Sequence, residues 1–172
     1  MATVYLSLGS NINKERYITA ALDALDGLFG SLVVSSVYES EAVGFEGENF
    51  FNLVVGLETQ FSVAELNALM RDIEHQNDRS REGPKFSSRT LDIDILLYDD
   101  LIGEIDGIVL PRDEVHKNAF VLLPLKEVAP DLIHPGLNKT MAQLWDNYQK
   151  DKQLLWPVSF VWRGDELSKL ES

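Results

Sequence analysis

The pattern of apolar and polar positions predicts alternating strands and helices over residues 2–98. Four segments are strand-like, because their side chains alternate with a period of two or are rich in valine: 2–8, 32–38, 50–57 and 90–98. Apolar positions recur at helical spacing over residues 18–29 and again over 63–73. The predicted order is therefore β-α-β-β-α-β.

Local signals mark the ends of the two helices. Asn11 or Asn13 can cap the first helix, and Gly30 ends it because glycine tolerates a positive φ. A capping box from Ser62 to Glu65 begins the second helix by satisfying exposed backbone donors.

The element order predicts an α+β, ferredoxin-like fold, an antiparallel sheet with both helices on one face. A chain of 172 residues fits a single domain, with a core over about 1–135 and a C-terminal extension over about 136–172. Four further elements are expected: a strand in 105–110, a short helix in 120–128 kinked or begun at Pro124, a helix over 140–148 and a strand over 158–162.

Charge and composition narrow the classes of function. The formal net charge of −13 disfavours nucleic-acid binding, which needs a surplus of cations. No apolar run approaches the roughly 20 residues of a membrane helix. Cysteine is absent, and residues 1–10 read as a strand and not as a leader, so we expect a cytoplasmic protein without membrane partners. The sequence leaves the choice between monomer and homodimer open.

Cations gather in the predicted loop 77–88 and just after it, at Arg79, Arg81, Lys85 and Arg89. An acidic chain with such a cluster is suited to bind a small anion there, and a solvated loop without a binding role is the alternative. The sequence contains neither Gly-x-x-x-x-Gly-Lys-Ser/Thr nor Gly-x-Gly-x-x-Gly, so a bound nucleotide would be held by another design.

Asp92 and Asp94 are two residues apart on a predicted strand, so both side chains project from one face. Adjacent carboxylates repel one another unless a cation shares them, and Mg²⁺ is often held by one or two carboxylates together with substrate phosphates. The pair beside Arg89 is the arrangement expected for phosphoryl or pyrophosphoryl transfer.

Residues 88–97, Ser-Arg-Thr-Leu-Asp-Ile-Asp-Ile-Leu-Leu, resemble the signature of the hydroxymethyldihydropterin pyrophosphokinases, where Arg-Thr-Leu-Asp-Leu-Asp-Ile is typical. Segments 8–11, 51–55 and 120–125 resemble further stretches of that family, and the resemblance runs over about 4–135. It implies transfer of pyrophosphate from ATP to the hydroxymethyl group of 6-hydroxymethyl-7,8-dihydropterin, with release of AMP, in folate biosynthesis.

The resemblance also implies roles for individual residues. Asp92 and Asp94 would hold two Mg²⁺ ions that bridge the ATP phosphates and the substrate hydroxyl. Arg79 and Arg89 would act as catalytic, phosphate-binding residues. The residues implied in binding ATP are Arg81, the backbone of Ile95, Ile108 and Val109, and Arg112.

Five residues are implied in binding the pterin: Ser40, Val43, Asn52, Phe86 and Phe120. Asn52 would pair with the ring edge, and Phe86 and Phe120 would stack on its two faces. A structural hydrogen bond of Asn52 and core positions for Phe120 and Phe86 remain the alternatives.

The sequence departs from the family at several positions: Glu41, Arg71, Ser87-Ser88, Arg112 and Asn118. Arg112 replaces a histidine and can still contact phosphate, whereas Asn118 replaces an arginine and would remove a phosphate contact. A non-catalytic paralogue that binds a pterin or nucleotide is therefore the second hypothesis. A ferredoxin-like interaction module without a small ligand is the third.

Overall fold

The computed structural model describes residues 1–41, 47–78, 90–150 and 153–170. Up to residue 98 the elements are β1 (Ala2–Ser10), α1 (Lys14–Phe29), β2 (Val33–Val34), β3 (Val37–Ser40), β4 (Phe50–Thr59), α2 (Val63–Gln76) and β5 (Asp92–Tyr98). After it come β6 (Gly103–Ile105), β7 (Ile108–Leu110), α3 (Glu114–Lys117), α4 (Ala119–Val128), α5 (Met141–Asp146), β8 (Leu155–Val158), β9 (Val161–Trp162) and β10 (Asp165–Glu166).

The main sheet has the strand order β5-β1-β4-β3-β8, with β2 also paired to β4. Its neighbouring strands are antiparallel. The four strands β5, β1, β4 and β3 form the ferredoxin-like sheet, so the predicted fold class is confirmed.

Helices cover both faces of this sheet. Helices α1 and α2 bury one face, where Leu6, Leu53 and Ile93 pack among their apolar side chains. The expectation that these two helices share a face is therefore confirmed. Helices α3, α4 and α5 pack on the other face, around Val54 and Leu96. Asp92 and Asp94 project from this second face of the sheet, the one that α3, α4 and α5 cover.

The structure confirms the helix ends that local sequence signals predict for α1 and α2. Gly30 ends α1 with a φ of 67°. Asn13 is the N-cap residue of α1, but its side chain makes no capping hydrogen bond. The capping box is complete, with Ser62 Oγ accepting from the Glu65 N–H at 3.2 Å and Glu65 accepting from the Ser62 N–H at 3.0 Å.

Two predicted strands before residue 111 differ from the structure. The strand over 32–38 is divided into β2 and β3, because the Ser36 N–H and hydroxyl turn toward the Glu127 carboxylate of α4. The strand over 105–110 is a hairpin, since Asp106 and Gly107 have φ values of 52° and 84° and form its turn.

The other differences lie nearer the C-terminus. Helix α4 begins at Ala119, so Pro124 lies inside it and the alternative of a start at Pro124 is wrong. The strand over 158–162 is divided into β8, which pairs with β3, and β9, which pairs with β10.

Candidate active site

The two aspartates lie at the start of edge strand β5. Asp92 is its first residue, and Asp94 follows on the same face. Ile93 and Ile95 point to the opposite face and are buried in the core against α1 and α2. The strand therefore presents both carboxylates together, as the two-residue period predicts.

A row of directly opposed residues crosses the sheet beside Asp92. Tyr38 lies opposite Asn52, Asn52 opposite Gly9, and Gly9 opposite Asp92. Opposed residues share a face, so these side chains all project toward α4. Gly9 has no side chain, so the Asn52 amide and the Asp92 carboxylate lie on either side of a position without a Cβ. An added Cβ at Gly9 would lie 3.1 Å from Asn52 Oδ1.

Asn52 is held in a buried polar contact. Its Nδ2 donates to Ser40 Oγ at 2.9 Å, and both residues are buried. The structural hydrogen bond considered for Asn52 is thus present. It uses the amide nitrogen, while Oδ1 faces the position above Gly9, so the bond orients the amide without consuming its acceptor.

Arg112 approaches the aspartates from the segment after β7. Its backbone N–H donates to the Leu96 carbonyl at 2.9 Å. Its Nη2 lies 3.0 Å from Glu114 Oε1 and 3.7 Å from Asp94 Oδ2. The guanidinium is about one-third exposed, at 37%. It therefore lies beside the carboxylate pair with one side open to an anion.

The electrostatics of the carboxylate pair favour a cation. The pKa of Asp94 is raised to about 7, mainly by burial and then by the charge of Asp92, while Arg112 opposes the rise. A carboxylate that is hard to ionise beside another carboxylate gains most from a shared hard cation. Carboxylate oxygens on a rigid strand fit Mg²⁺, which is often held by one or two carboxylates together with substrate phosphates. The described residues contain no cluster of three or more His, Cys, Asp or Glu suited to a metal.

The residues implied in ATP binding border the same strand. Ile95 is buried in β5, while Ile108 and Val109 form part of β7, where Val109 is 59% exposed. Ile105 and Ile108 of the β6–β7 hairpin pack against the main core. The structure thus brings Ile95, the hairpin and Arg112 to one edge of the sheet.

The structure places Asn118, which departs from the family pattern, and Phe120, which is implied in pterin binding. Asn118 Oδ1 accepts from Gln153 Nε2 at 3.1 Å, and Gln153 Oε1 accepts from the Ala119 N–H at 2.7 Å. Asn118 is therefore paired with the C-terminal extension. Phe120 is half-buried and packs against the core under α4, which agrees with the packing alternative and leaves part of the ring accessible.

Several predicted residues cannot be placed. The cations Arg79, Arg81, Lys85 and Arg89 lie outside the described residues, as do the pterin-binding residues Val43 and Phe86 and the Ser87-Ser88 pair. Their roles remain predictions.

Glu74 and Arg71 contact the backbone next to the aspartates, and the sequence did not predict these contacts. Glu74 is 1% exposed and accepts from the Ile93 N–H at 2.7 Å, and Arg71 donates to the Ile93 carbonyl. The sequence contains a signal for the burial of Glu74. Position 74 lies on the same helical face as Leu66 and Met70, and it carries a carboxylate where an apolar residue is expected.

The fold and the carboxylate pair define an α+β domain of the ferredoxin-like class with a candidate cation site. The sequence model of the 7,8-dihydro-6-hydroxymethylpterin-pyrophosphokinase (HPPK) family matches residues 5–130. The chain therefore belongs to this family, whose members are ATP-dependent transferases.

Two relatives carry the name 2-amino-4-hydroxy-6-hydroxymethyldihydropteridine pyrophosphokinase. The one from Aquifex aeolicus is 37% identical over 145 residues, covering 83% of this chain and 90% of the relative. The one from Haemophilus influenzae is 36% identical over 140 residues, covering 79% and 87%.

Solved structures show the same fold. The crystal structure of wild-type Plasmodium falciparum HPPK-DHPS with SDX-DHP matches with a TM-score of 0.66 at 16% identity, over 86% of this chain. The chain spans 44% of that longer polypeptide. Among the described residues, none of the helices is long and apolar enough to cross a membrane.

Proposed function

We propose that this protein transfers the pyrophosphoryl group of ATP to the hydroxymethyl group of 6-hydroxymethyl-7,8-dihydropterin, in folate biosynthesis. The hydroxymethyl oxygen forms a bond to the β-phosphorus, and the bond between the β-phosphorus and the oxygen bridging it to the α-phosphorus breaks. AMP leaves, and the hydroxyl proton is released. The single observation that carries this proposal is the row in which Gly9 separates the Asn52 amide from the Asp92 carboxylate.

Asp92 and Asp94 would hold two Mg²⁺ ions. When bound, Mg²⁺ neutralises charge on the triphosphate and favours ionisation of a coordinated hydroxyl. The chain's own contribution is alignment, because both carboxylates project from one rigid strand. Arg112 lies beside Asp94 with its guanidinium partly exposed, and is suited to bind a phosphate oxygen.

The pterin would bind on the Asn52 side of Gly9. The Asn52 amide, oriented by Ser40, would pair with the ring edge. The backbone at Ser40 and Val43 would complete that recognition, and Phe86 and Phe120 would stack on the two faces of the ring. This arrangement directs the hydroxymethyl group toward Asp92, across Gly9.

ATP would bind on the other side of the aspartates. The backbone of Ile95, Ile108 and Val109 would meet the adenine and ribose. Arg79, Arg81 and Arg89 would bind the phosphates, with Arg79 and Arg89 in catalytic roles. Charge neutralisation by arginines and metal is what a pyrophosphoryl transition state requires.

We further propose that residues 1–172 form one domain, with the core over about 1–135, and that it acts in the cytoplasm, where ATP is available. A second candidate function is a non-catalytic paralogue that binds the pterin or a nucleotide. It is favoured by one observation, the pairing of Asn118 with Gln153 where the family pattern has an arginine.

The experiment that separates the two candidates is AMP release from ATP and Mg²⁺, with and without 6-hydroxymethyl-7,8-dihydropterin. AMP that depends on the pterin supports the transferase. Mg²⁺-dependent nucleotide binding without AMP supports the paralogue.

A further inference from the structure

The backbone between the two aspartates is held by side chains instead of by a strand. In the described part of the chain β5 is an edge of the sheet, with β1 as its neighbour. Ile93 lies opposite Leu8 of β1. Its N–H donates to Glu74 Oε2 at 2.7 Å, and its carbonyl accepts from Arg71 Nη2. Both polar groups of Ile93 therefore bond to helix α2.

Arg71 and Glu74 also bond to each other. Arg71 Nη1 lies 3.3 Å from Glu74 Oε1, one helical turn apart. Glu74 is 1% exposed and Arg71 26% exposed at its side chain. The two side chains and the Ile93 backbone thus close a ring of hydrogen bonds. We name this pair the Arg71–Glu74 clamp.

The geometry of the Arg71–Glu74 clamp bears directly on the aspartates. The Ile93 N–H belongs to the peptide unit that begins at Asp92, and the Ile93 carbonyl belongs to the unit that ends at Asp94. Fixing both units fixes the directions in which the two carboxylates leave the strand. Hydrogen-bonding partners of this kind commonly affect metal affinity by about 10- to 100-fold.

We propose that the Arg71–Glu74 clamp positions Asp92 and Asp94 for Mg²⁺ and the nucleotide. This inference rests on the proposed function of the two aspartates as Mg²⁺ ligands. Arg71 is the decisive member, since its planar fork bonds the Ile93 carbonyl and Glu74 at the same time. Arg71 also stands where the family pattern has a glutamine.

A substitution that keeps the charge of Arg71 separates positioning from simple electrostatics. Arg71 carries a positive charge near a site for a divalent cation and an anionic nucleotide, so removing that charge affects both ligands through Coulomb's law. Arg71→Lys keeps the charge and loses the planar fork. Weaker Mg²⁺-dependent nucleotide binding in Arg71→Lys therefore comes from lost positioning.

The test compares Arg71→Met, which keeps the length of the side chain but removes its donors, with Arg71→Gln, which keeps an amide donor. The matched control is Arg163→Met. This change also removes an arginine that is paired with acids, because Arg163 forms ion pairs with Asp23 and Asp26 on helix α1. The readout is the Mg²⁺ concentration for half-maximal binding of a non-hydrolysable ATP analogue. The Mg²⁺ midpoint is measured at about pH 8.5, above the pKa of about 7 for Asp94. The melting temperature and the hydrogen exchange of the Ile93 amide are measured for each variant as well.

We expect Arg71→Met to raise the Mg²⁺ midpoint about 10-fold and to speed exchange of the Ile93 amide by a similar factor. Arg71→Gln keeps one donor but loses the fork, so it should raise the midpoint by about 3- to 5-fold, and Arg163→Met should not change the midpoint. If Arg71→Met fails to fold, Arg71→Lys decides, since one ammonium cannot reproduce the fork and should raise the midpoint about 5-fold.

A lower melting temperature with an unchanged Mg²⁺ midpoint would overturn the proposal and leave the pair with a purely structural role. A parent protein without Mg²⁺-dependent nucleotide binding would contradict the proposed function itself. The two failures are therefore distinguishable from one set of measurements.

Discussion

Gly9 lies directly opposite Asp92 in the β1–β5 pair, so the sheet carries no Cβ at the position next to that carboxylate. The same glycine lies opposite Asn52 on its other side. One position without a Cβ thus separates the group expected to bind the pterin from the group expected to bind the metal.

We predict that Gly9→Ala lowers activity strongly with a small effect on stability. The new Cβ would lie 3.1 Å from Asn52 Oδ1, so the amide must shift by a few tenths of an ångström. We expect kcat/KM for the pterin to fall by about 10-fold or more. Gly27→Ala in α1 is the matched control, because its added Cβ meets no atom within 4 Å beyond its chain neighbours and the nearby backbone of its own helix. Equal activity of both variants would contradict the predicted need for glycine at position 9.

Asn52→Ala should weaken pterin binding more than ATP binding. The substitution removes the ring-edge partner and leaves the buried Ser40 hydroxyl without its donor. We expect the pterin KM to rise by about 10- to 100-fold, which corresponds to about 1.4–2.7 kcal/mol. The nucleotide KM should change little.

Ser40→Ala is the control for Asn52→Ala, because it removes the same hydrogen bond and keeps the Asn52 amide. Its effect on the pterin KM should be several-fold smaller. If the two variants raise the KM equally, the role of Asn52 is confined to its bond with Ser40.

We predict that Asp94→Asn abolishes the Mg²⁺-dependent thermal stabilisation by a non-hydrolysable ATP analogue. Without ligand the variant should be as stable as the parent or more stable at pH 8. The reason is that burial and Asp92 raise the pKa of Asp94, so its charge is unfavourable in the fold. Asp113→Asn is the control, an acid paired on the surface with Lys117 at 3.0 Å. A nucleotide shift that survives in Asp94→Asn would remove Asp94 from the metal site.

The stability of the fold should fall as pH rises through neutrality, in part because of Glu74. Burial raises its pKa from 4.5 to about 7, with Asp92 and Asp94 adding to the rise and the Ile93 N–H and Arg71 opposing it. Between these values the folded state binds more protons than the unfolded chain. The stability that this group contributes at low pH is therefore lost as pH rises through about 7.

Urea unfolding at pH 5 and pH 8 measures this loss, which we expect to be on the order of 2–3 kcal/mol for Glu74. Glu74→Gln should reduce the difference between the two pH values, whereas Glu104→Gln on the exposed β6 strand should leave it unchanged. An undiminished difference in Glu74→Gln would assign the pH dependence to other groups.

Local patterns in the sequence predicted most of the fold. The two-residue period placed Asp92 and Asp94 on one face, and the capping box located the start of α2, because both signals act over a few neighbouring residues. The division of the strand over 32–38 was not predictable in the same way. It depends on Glu127, which is 91 residues from Ser36 in the chain.

The site itself was predictable only in part. Asn52 and Asp92 were expected to act together through the family resemblance, but their arrangement around Gly9 depends on the register of three strands. The contacts of Arg71 and Glu74 with Ile93 likewise depend on how α2 packs against the edge of the sheet. No local pattern encodes such long-range contacts.

AMP formation tests the central claim most directly. Purified protein is incubated with ATP and Mg²⁺, with and without 6-hydroxymethyl-7,8-dihydropterin, alongside the Asp94→Asn and Asp113→Asn variants. We predict AMP only when the pterin is present, retained in Asp113→Asn and lost in Asp94→Asn. Absence of AMP from the parent protein, despite Mg²⁺-dependent nucleotide binding, would contradict the proposed transfer.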